Sequence, residues 1–291
     1  MYYLVYIPLY LVSLLPLRFL YFLGDVVYVL MYYIIRYRKK VVIENLLIAF
    51  PEKTEKERKR IAKAFYHNFV DTFIETLKFI SWNLQAIEKR FTADLSGLEK
   101  AYASGKNINL VGMHTFNWEY ANWWLAAHLK YPWLGIYMPM GNKAFDRIIR
   151  NMRGKYGTVL LPATDFKKHY LKYANTLHVL GSAADQSPGN PENAYWAIFF
   201  NRPTAFVTGV EKGARINNSA VVFGHFYKVK RGYYHIDTEF ITNDPNSFPE
   251  GELTRLYVQF CEKCIRKMPD NYLWSHRKWK HVYKEEYGKI L

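Results

Sequence analysis

Residues 1 to 35, MYYLVYIPLYLVSLLPLRFLYFLGDVVYVLMYYII, carry only two charges, Arg18 and Asp25, and this stretch constrains the fold more than any other. So apolar a segment has to be sunk in lipid or hidden in a core. A cleaved signal peptide would start basic and end on small residues, and neither mark is present. Pro8, Pro16 and Gly24 interrupt the run. Each half, of about 14 to 17 apolar residues, falls short of the ~20 needed for a comfortable crossing. A tilted span and a helical pair dipping into one leaflet both remain open, with a buried hairpin in a soluble fold as the alternative. Scattered tyrosines and the basic RYRKK at 36–40 favour a membrane. Basic flanks stay in the cytoplasm, so the remainder of the chain is expected on that side. The expected division is a membrane anchor over 1–36 and one body over 37–291.

Beyond the anchor the hydrophobic pattern changes period. Thr54-x-x-Glu57 reads as a capping box, and Ile61, Phe65, Phe69, Phe73, Leu77 and Ile80 recur at helical steps, predicting one long helix to about residue 80. Strand-like runs then alternate with helical ones. The strands are expected at 107–113, 133–139, 157–162 and 177–184, and the helices at 117–129, 142–154 and 165–174. A hairpin turning at Arg231-Gly232 and a last helix over 252–268 follow. This alternation predicts an α/β fold, a mixed and largely parallel sheet flanked by helices.

Lys and Arg outnumber Asp and Glu by 40 to 25, and a formal charge of +15 favours polyanions, whether nucleic acid, an anionic leaflet or an acidic carrier protein. Basic residues spread along the chain and an apolar N-terminus give no specific nucleic-acid site. Cys261 and Cys264 are the two cysteines. Their C-x-x-C lies late in a helix, where no helix N-terminus lowers a thiol pKa, so two half-buried small residues are expected rather than a redox pair. No H-E-x-x-H, P-loop, G-x-G-x-x-G or G-x-S-x-G occurs, and no metal or cofactor is expected.

GMHTFNWEY, residues 112–120, places His114 after an apolar strand and Glu119 in the first turn of the next helix. Composition alone predicts about 0.8 such His-to-acid spacings per chain. A second, His281 and Glu286, lies in a polar tail with no strand before it. At the carboxyl end of a buried strand, where open α/β sheets place their chemistry, His114 and Glu119 can act as a base and its orienting carboxylate. A strand-end histidine beside a cap-stabilising glutamate is the structural alternative.

HTFNWE resembles the H-x4-(D/E) motif of the lysophospholipid acyltransferase superfamily. With ENLLIAFPE at 44–52, NKAFDRIIRNMRGKYG at 142–157, AADQSPG at 183–189 and YLWSHRKWK at 272–280, the chain is similar to the bacterial late lipid A acyltransferases, the lauroyl and myristoyl transferases. The resemblance implies acyl transfer from a thioester, on acyl carrier protein or CoA, to a hydroxyl of a lipid A precursor. It implies a place at the cell inner membrane, His114 as general base and Glu119 as its partner. Asp185 matches an active-site position, its role left between positioning the base, holding an acceptor group and starting a helix. Met138 stands where many members have an arginine before proline. Lys143, Arg147, Arg150 and Arg153 follow and can supply the missing charge, or Arg150 and Arg153 form a solvated helix face. Arg277, between Trp274 and Trp279, binds an anionic group or belongs to an aromatic anchor for the C-terminus. A lysophospholipid or aminolipid acceptor and a non-catalytic basic membrane-binding protein are the rival functions.

Overall fold

The computed structural model describes residues 2–291. Helix α1 (Tyr2–Leu14) and α2 (Leu17–Val29) meet at Leu15-Pro16, and α2 runs on as a π-helical turn over Leu30–Ile35. Short α3 (Lys39–Ala49) leads to α4 (Glu55–Phe79). The expected capping box is made: Thr54 Oγ1 accepts from the Glu57 amide at 3.3 Å, and the Thr54 amide donates to Glu57 at 2.8 Å. Sequence periodicity placed the apolar residues of α4 on one face, yet Phe73 is exposed while Asp71, Glu75 and Lys78 are buried. The polar side of α4 is covered because α2 lies along it, which no pattern within α4 can reveal.

After α5 (Leu84–Glu88), β1 (Phe91–Asp94) and α6 (Ser96–Tyr102), the βα alternation begins. It comprises β2 (Ile108–Gly112), α7 (Trp118–His128), β3 (Trp133–Tyr137), α8 (Lys143–Gly154), β4 (Val159–Pro162), α9 (Phe166–Tyr170) and β5 (Val179–Ala183). An antiparallel pair, β6 (Tyr195–Phe199) and β7 (Arg202–Phe206), leads to α10 (Gly209–Ile216). A hairpin, β8 (Ala220–Lys230) and β9 (Tyr233–Thr242), turns at Arg231-Gly232, where Gly232 takes φ +77°. Helix α11 (Glu252–Lys267) carries both cysteines, fully or nearly buried, in its second half.

The seven-stranded sheet has the order β1-β9-β8-β2-β5-β3-β4, parallel except for β8 against β9. It is the mixed, largely parallel α/β sheet expected. One face packs under α6 and α7 with Trp123, Tyr120 and Leu110; the other packs under α10 and α11 with Val111, Phe223 and Tyr257. All five residues of β2 are buried, as a central strand covered on both faces requires. Strand β1, the β6–β7 pair, α6 and α10 lie outside the elements anticipated from sequence. The helix expected at 165–174 is broken, with 3₁₀ turns at Ala163–Asp165 and Leu171–Tyr173 on either side of α9.

Candidate active site

His114 stands two residues beyond Gly112, the end of β2, and Asp185 two beyond Ala183, the end of β5. The strands are parallel neighbours with Gly112 opposite Ala183, so register alone sets the two side chains together. His114 Nδ1 lies 2.7 Å from Asp185 Oδ1, and the His114 amide donates to the same oxygen at 3.1 Å. An ionised carboxylate only accepts, which places the ring proton on Nδ1 and leaves Nε2 as a lone-pair base. Tyr257 ties the strand ends, its hydroxyl donating to the Gly112 carbonyl at 2.6 Å and accepting from the Ala184 amide.

Burial works against both charges here. For Asp185, 1% exposed, the cost of burial is outweighed by the imidazole, by its hydrogen bonds and by Lys278, which hold the carboxyl below its ordinary range. For His114, burial is outweighed by the Asp185 charge and hydrogen bond, and the imidazole pKa is raised above 6.5.

Glu119 does not meet His114, contrary to the pairing expected from their spacing. Asn117 caps α7, its Oδ1 accepting from the Glu119 amide at 3.0 Å, and the Glu119 side chain turns towards α8. Arg153 Nε donates to both carboxylate oxygens at 3.0 and 3.1 Å, Arg153 Nη2 adds a third contact at 2.5 Å, and the Trp118 indole donates at 3.0 Å. The carboxylate is thus saturated by an arginine some thirty residues away in sequence. The imidazole donates to Asp185 instead, because strand register fixes that approach and the first turn of α7 aims elsewhere.

His114, Glu119 and Arg153 line one cavity of about 460 Å³ with Trp118, Met138 and Trp133. That volume falls in the range of small-molecule sites. It lies along the carboxyl ends of β2, β3 and β5. Met138 is 67% exposed at its rim, and Arg153 is the guanidinium in its wall. The other basic candidates lie outside. Lys143, Arg147 and Arg150 line a separate surface depression on α8. There Arg147 lies over the Tyr2 ring at 4.4 Å, and Arg150 reaches Asp146 at 3.9 Å. Arg277 is exposed, outside the cavity wall.

Its neighbour Lys278 is the buried base, which sequence reasoning missed. Lys278 Nζ donates to the Ala205 carbonyl at 3.1 Å and lies 3.5 Å from the Phe206 ring centroid; burial, opposed by Asp185, lowers its pKa to about 7. Trp274 is wholly buried with its indole donating to the Pro269 carbonyl, so the tail is packed as an aromatic anchor. The second spacing match is not a pair: His281 meets the Pro188 carbonyl, and Glu286 meets Lys284.

The sequence model for the family described as bacterial lipid A biosynthesis acyltransferase matches residues 1–281. Among curated relatives, the chain is 28% identical over 284 residues to the lipid A biosynthesis lauroyltransferase of Escherichia coli (strain K12), covering 94% of this chain and 89% of that one. To the lipid A biosynthesis palmitoleoyltransferase of the same organism it is 21% identical over 269 residues, covering 91% of this chain and 86% of that one. The lipid A biosynthesis acyltransferase of Shigella flexneri matches to the same extent.

Proposed function

The chain belongs to the bacterial lipid A biosynthesis acyltransferase family, and from that premise we propose that His114 takes the proton of a lipid A precursor hydroxyl as that oxygen attacks an acyl thioester. The enzyme is an acyltransferase of lipid A biosynthesis; the donor, the base and the membrane face are the parts proposed. One observation carries the reading: a histidine whose Nδ1 is held by a buried carboxylate and which lines a largely apolar cavity. Nε2 accepts the hydroxyl proton as the new C–O bond forms at the thioester carbon. The imidazolium, steadied by Asp185, returns the proton to the thiolate when the C–S bond breaks.

Asp185 is assigned to orienting the base, and Glu119 to holding Arg153 against the cavity wall. The guanidinium, fixed through its Nε and Nη2, keeps its remaining donors for a phosphate of the acceptor or for the developing oxyanion. Lys143, Arg147 and Arg150 are assigned to attraction of an anionic surface rather than to substrate in the cavity, and Arg277 to the packed tail. The acyl donor is a thioester on acyl carrier protein or CoA, and the basic balance of the chain suits the acidic carrier. The body faces the cytoplasm, anchored by residues 1–36.

Purified protein incubated with acyl carrier thioester or acyl-CoA and a lipid A precursor is expected to yield product heavier by one acyl group, seen by mass spectrometry. A lysophospholipid or aminolipid acylated in preference would replace the proposed acceptor. The acyl chain is assigned to the cavity floor, where Trp133 covers Gly181 so closely that a Cβ there would overlap the indole. Gly181→Val is expected to push the ring into the cavity. It should cut kcat/KM for the longest accepted donor by at least about 10-fold, with a smaller loss for one two carbons shorter, since a methylene is worth about 1–3 kcal/mol in an apolar pocket.

A further inference from the structure

The stretch Leu17–Ile35, 19 residues long, is long and apolar enough to cross a bilayer, and the way it is fastened to the body gives it a different orientation. Leu20, Gly24, Tyr28 and Tyr32 recur every fourth residue, and they are its buried residues. They lie antiparallel along α4. A Cβ on Gly24 would come within 3.2 Å of Ile74, Tyr28 stacks on His67 at 3.6 Å, and Tyr32 meets Tyr66 edge-on at 5.3 Å.

Polar clasps hold the same stripe. Tyr21 donates to the buried Glu75 at 2.6 Å, and Arg231 bridges Asp25 and Asp71 at 2.7 and 2.8 Å. Past the bend, Lys78 donates to the carbonyls of Ser13 and Leu15 at 2.6 and 2.8 Å. Helix α1 then continues to α8, where Tyr2 lies under Arg147. The two helices therefore form a bent strap against the body along their whole length. The opposite side of the strap is a continuous exposed apolar face, including Leu4, Leu11, Phe22, Val26 and Ile34.

A helix crossing a bilayer is flanked by lipid or by other apolar segments at every depth. Here α4 runs alongside, and α4 is tied to the charged body: Lys228 of β8 reaches Asp71, Tyr234 of β9 donates to Glu75, and Lys63 lies near Tyr32 at one end of α2. The body cannot follow α2 through the membrane. We infer that α1 and α2 form an in-plane anchor: both axes lie parallel to the membrane, and the exposed face is sunk in one leaflet of anionic phospholipid.

Charge complementarity fits that occupant. Arg18, Arg36, Arg38, Lys40, Lys63 and Arg147, all exposed, surround the apolar face, at the level where an interfacial helix meets headgroup phosphates. The Met140 amide bonds Asp146 of α8 at 2.9 Å, next to the Arg147 that lies over Tyr2, so the chain leaving Met138 on the cavity rim runs towards the start of α1. An in-plane strap thus brings the cavity mouth to headgroup depth, where a lipid acceptor enters sideways without leaving its leaflet.

The inference rests on the reading that the protein works at a membrane, and it is separate from the chemistry at His114. Its test uses the full chain with single nitroxide-labelled cysteines at Leu4, Leu11, Phe22, Val26 and Ile34, bound to phosphatidylethanolamine–phosphatidylglycerol vesicles. The native thiols are buried, and the labelled positions are exposed, so the fold is retained. Oxygen and aqueous nickel collision rates are expected to give one common depth, about 5–10 Å below the phosphates, at all five positions. A depth that climbs to the bilayer centre near Val26 and falls again on either side overturns the in-plane geometry while leaving membrane binding intact. Aqueous accessibility at all five, with no binding to vesicles, overturns the membrane reading itself.

Discussion

His114→Gln is expected to lower kcat for acyl transfer by about 10³-fold, within the 10²–10⁴ span typical of losing a general base, while the protein folds and binds vesicles as before. The amide of glutamine can still donate to Asp185, so the buried carboxylate is not orphaned; only the proton acceptor is gone. His114→Ala should lose as much activity and also a few degrees of Tm, because it strips Asp185 of a charge-assisted hydrogen bond. Full turnover in the glutamine variant would remove His114 from the chemistry.

The pH dependence carries the same prediction with a sign. The base must be neutral, and pairing with Asp185 raises its pKa. In consequence, kcat/KM should rise with pH through a midpoint above 6.5, and Asp185→Asn should move that limb to lower pH while reducing the plateau. Stability runs the other way. The contribution from the raised pKa of His114 is complete below the unfolded value and is lost as pH climbs through the folded one. That from the lowered pKa of Asp185 is present above the unfolded value and is lost as pH falls through the folded one. The pair is most stabilising when the imidazole is charged, and the enzyme most active when it is not, so the two optima should be displaced from each other.

The second large effect belongs to Glu119. Removing its carboxylate by Glu119→Ala leaves Arg153 in the cavity wall without its partner, and breaking such a pair costs about 3–5 kcal/mol. Expected together are a fall in urea midpoint and a loss of transfer, measured by denaturation and by initial rates. The double variant Glu119→Leu with Arg153→Met, which replaces both charges by apolar groups, should recover most of the stability and none of the activity. If Glu119→Ala kept its denaturation midpoint and instead shifted the His114 limb of the pH profile, the carboxylate would be acting on the imidazole after all.

Glu119 bonds Arg153 rather than His114 for a reason that generalises. Five residues between a strand-end histidine and a first-turn glutamate are compatible with contact, and spacing says nothing about which way the first turn of α7 faces. That direction is set by the packing of α7 on α8, which presents Arg153 to it. The Asp185 partnership was one of three roles left open. Its position at a strand end was legible in AADQ, but that β2 and β5 are neighbours, with Gly112 opposite Ala183, is a matter of strand order. Lys278 was overlooked beside Arg277 because two adjacent basic residues look alike until one of them is buried.

What the sequence determined on its own is local and periodic: the apolar N-terminus, the capping box at Thr54, the βα alternation and the histidine at a strand end. Each follows from residues a few positions apart, where propensity, capping and hydrophobic period act directly. The tertiary structure alone decided which carboxylate serves His114, which base is sealed beneath Asp185, and that Leu17–Ile35 lies strapped along α4. Those outcomes depend on strand order and on the faces helices turn to one another, and they are set by contacts between segments far apart in the chain, such as Asp25 and Arg231, 206 residues apart.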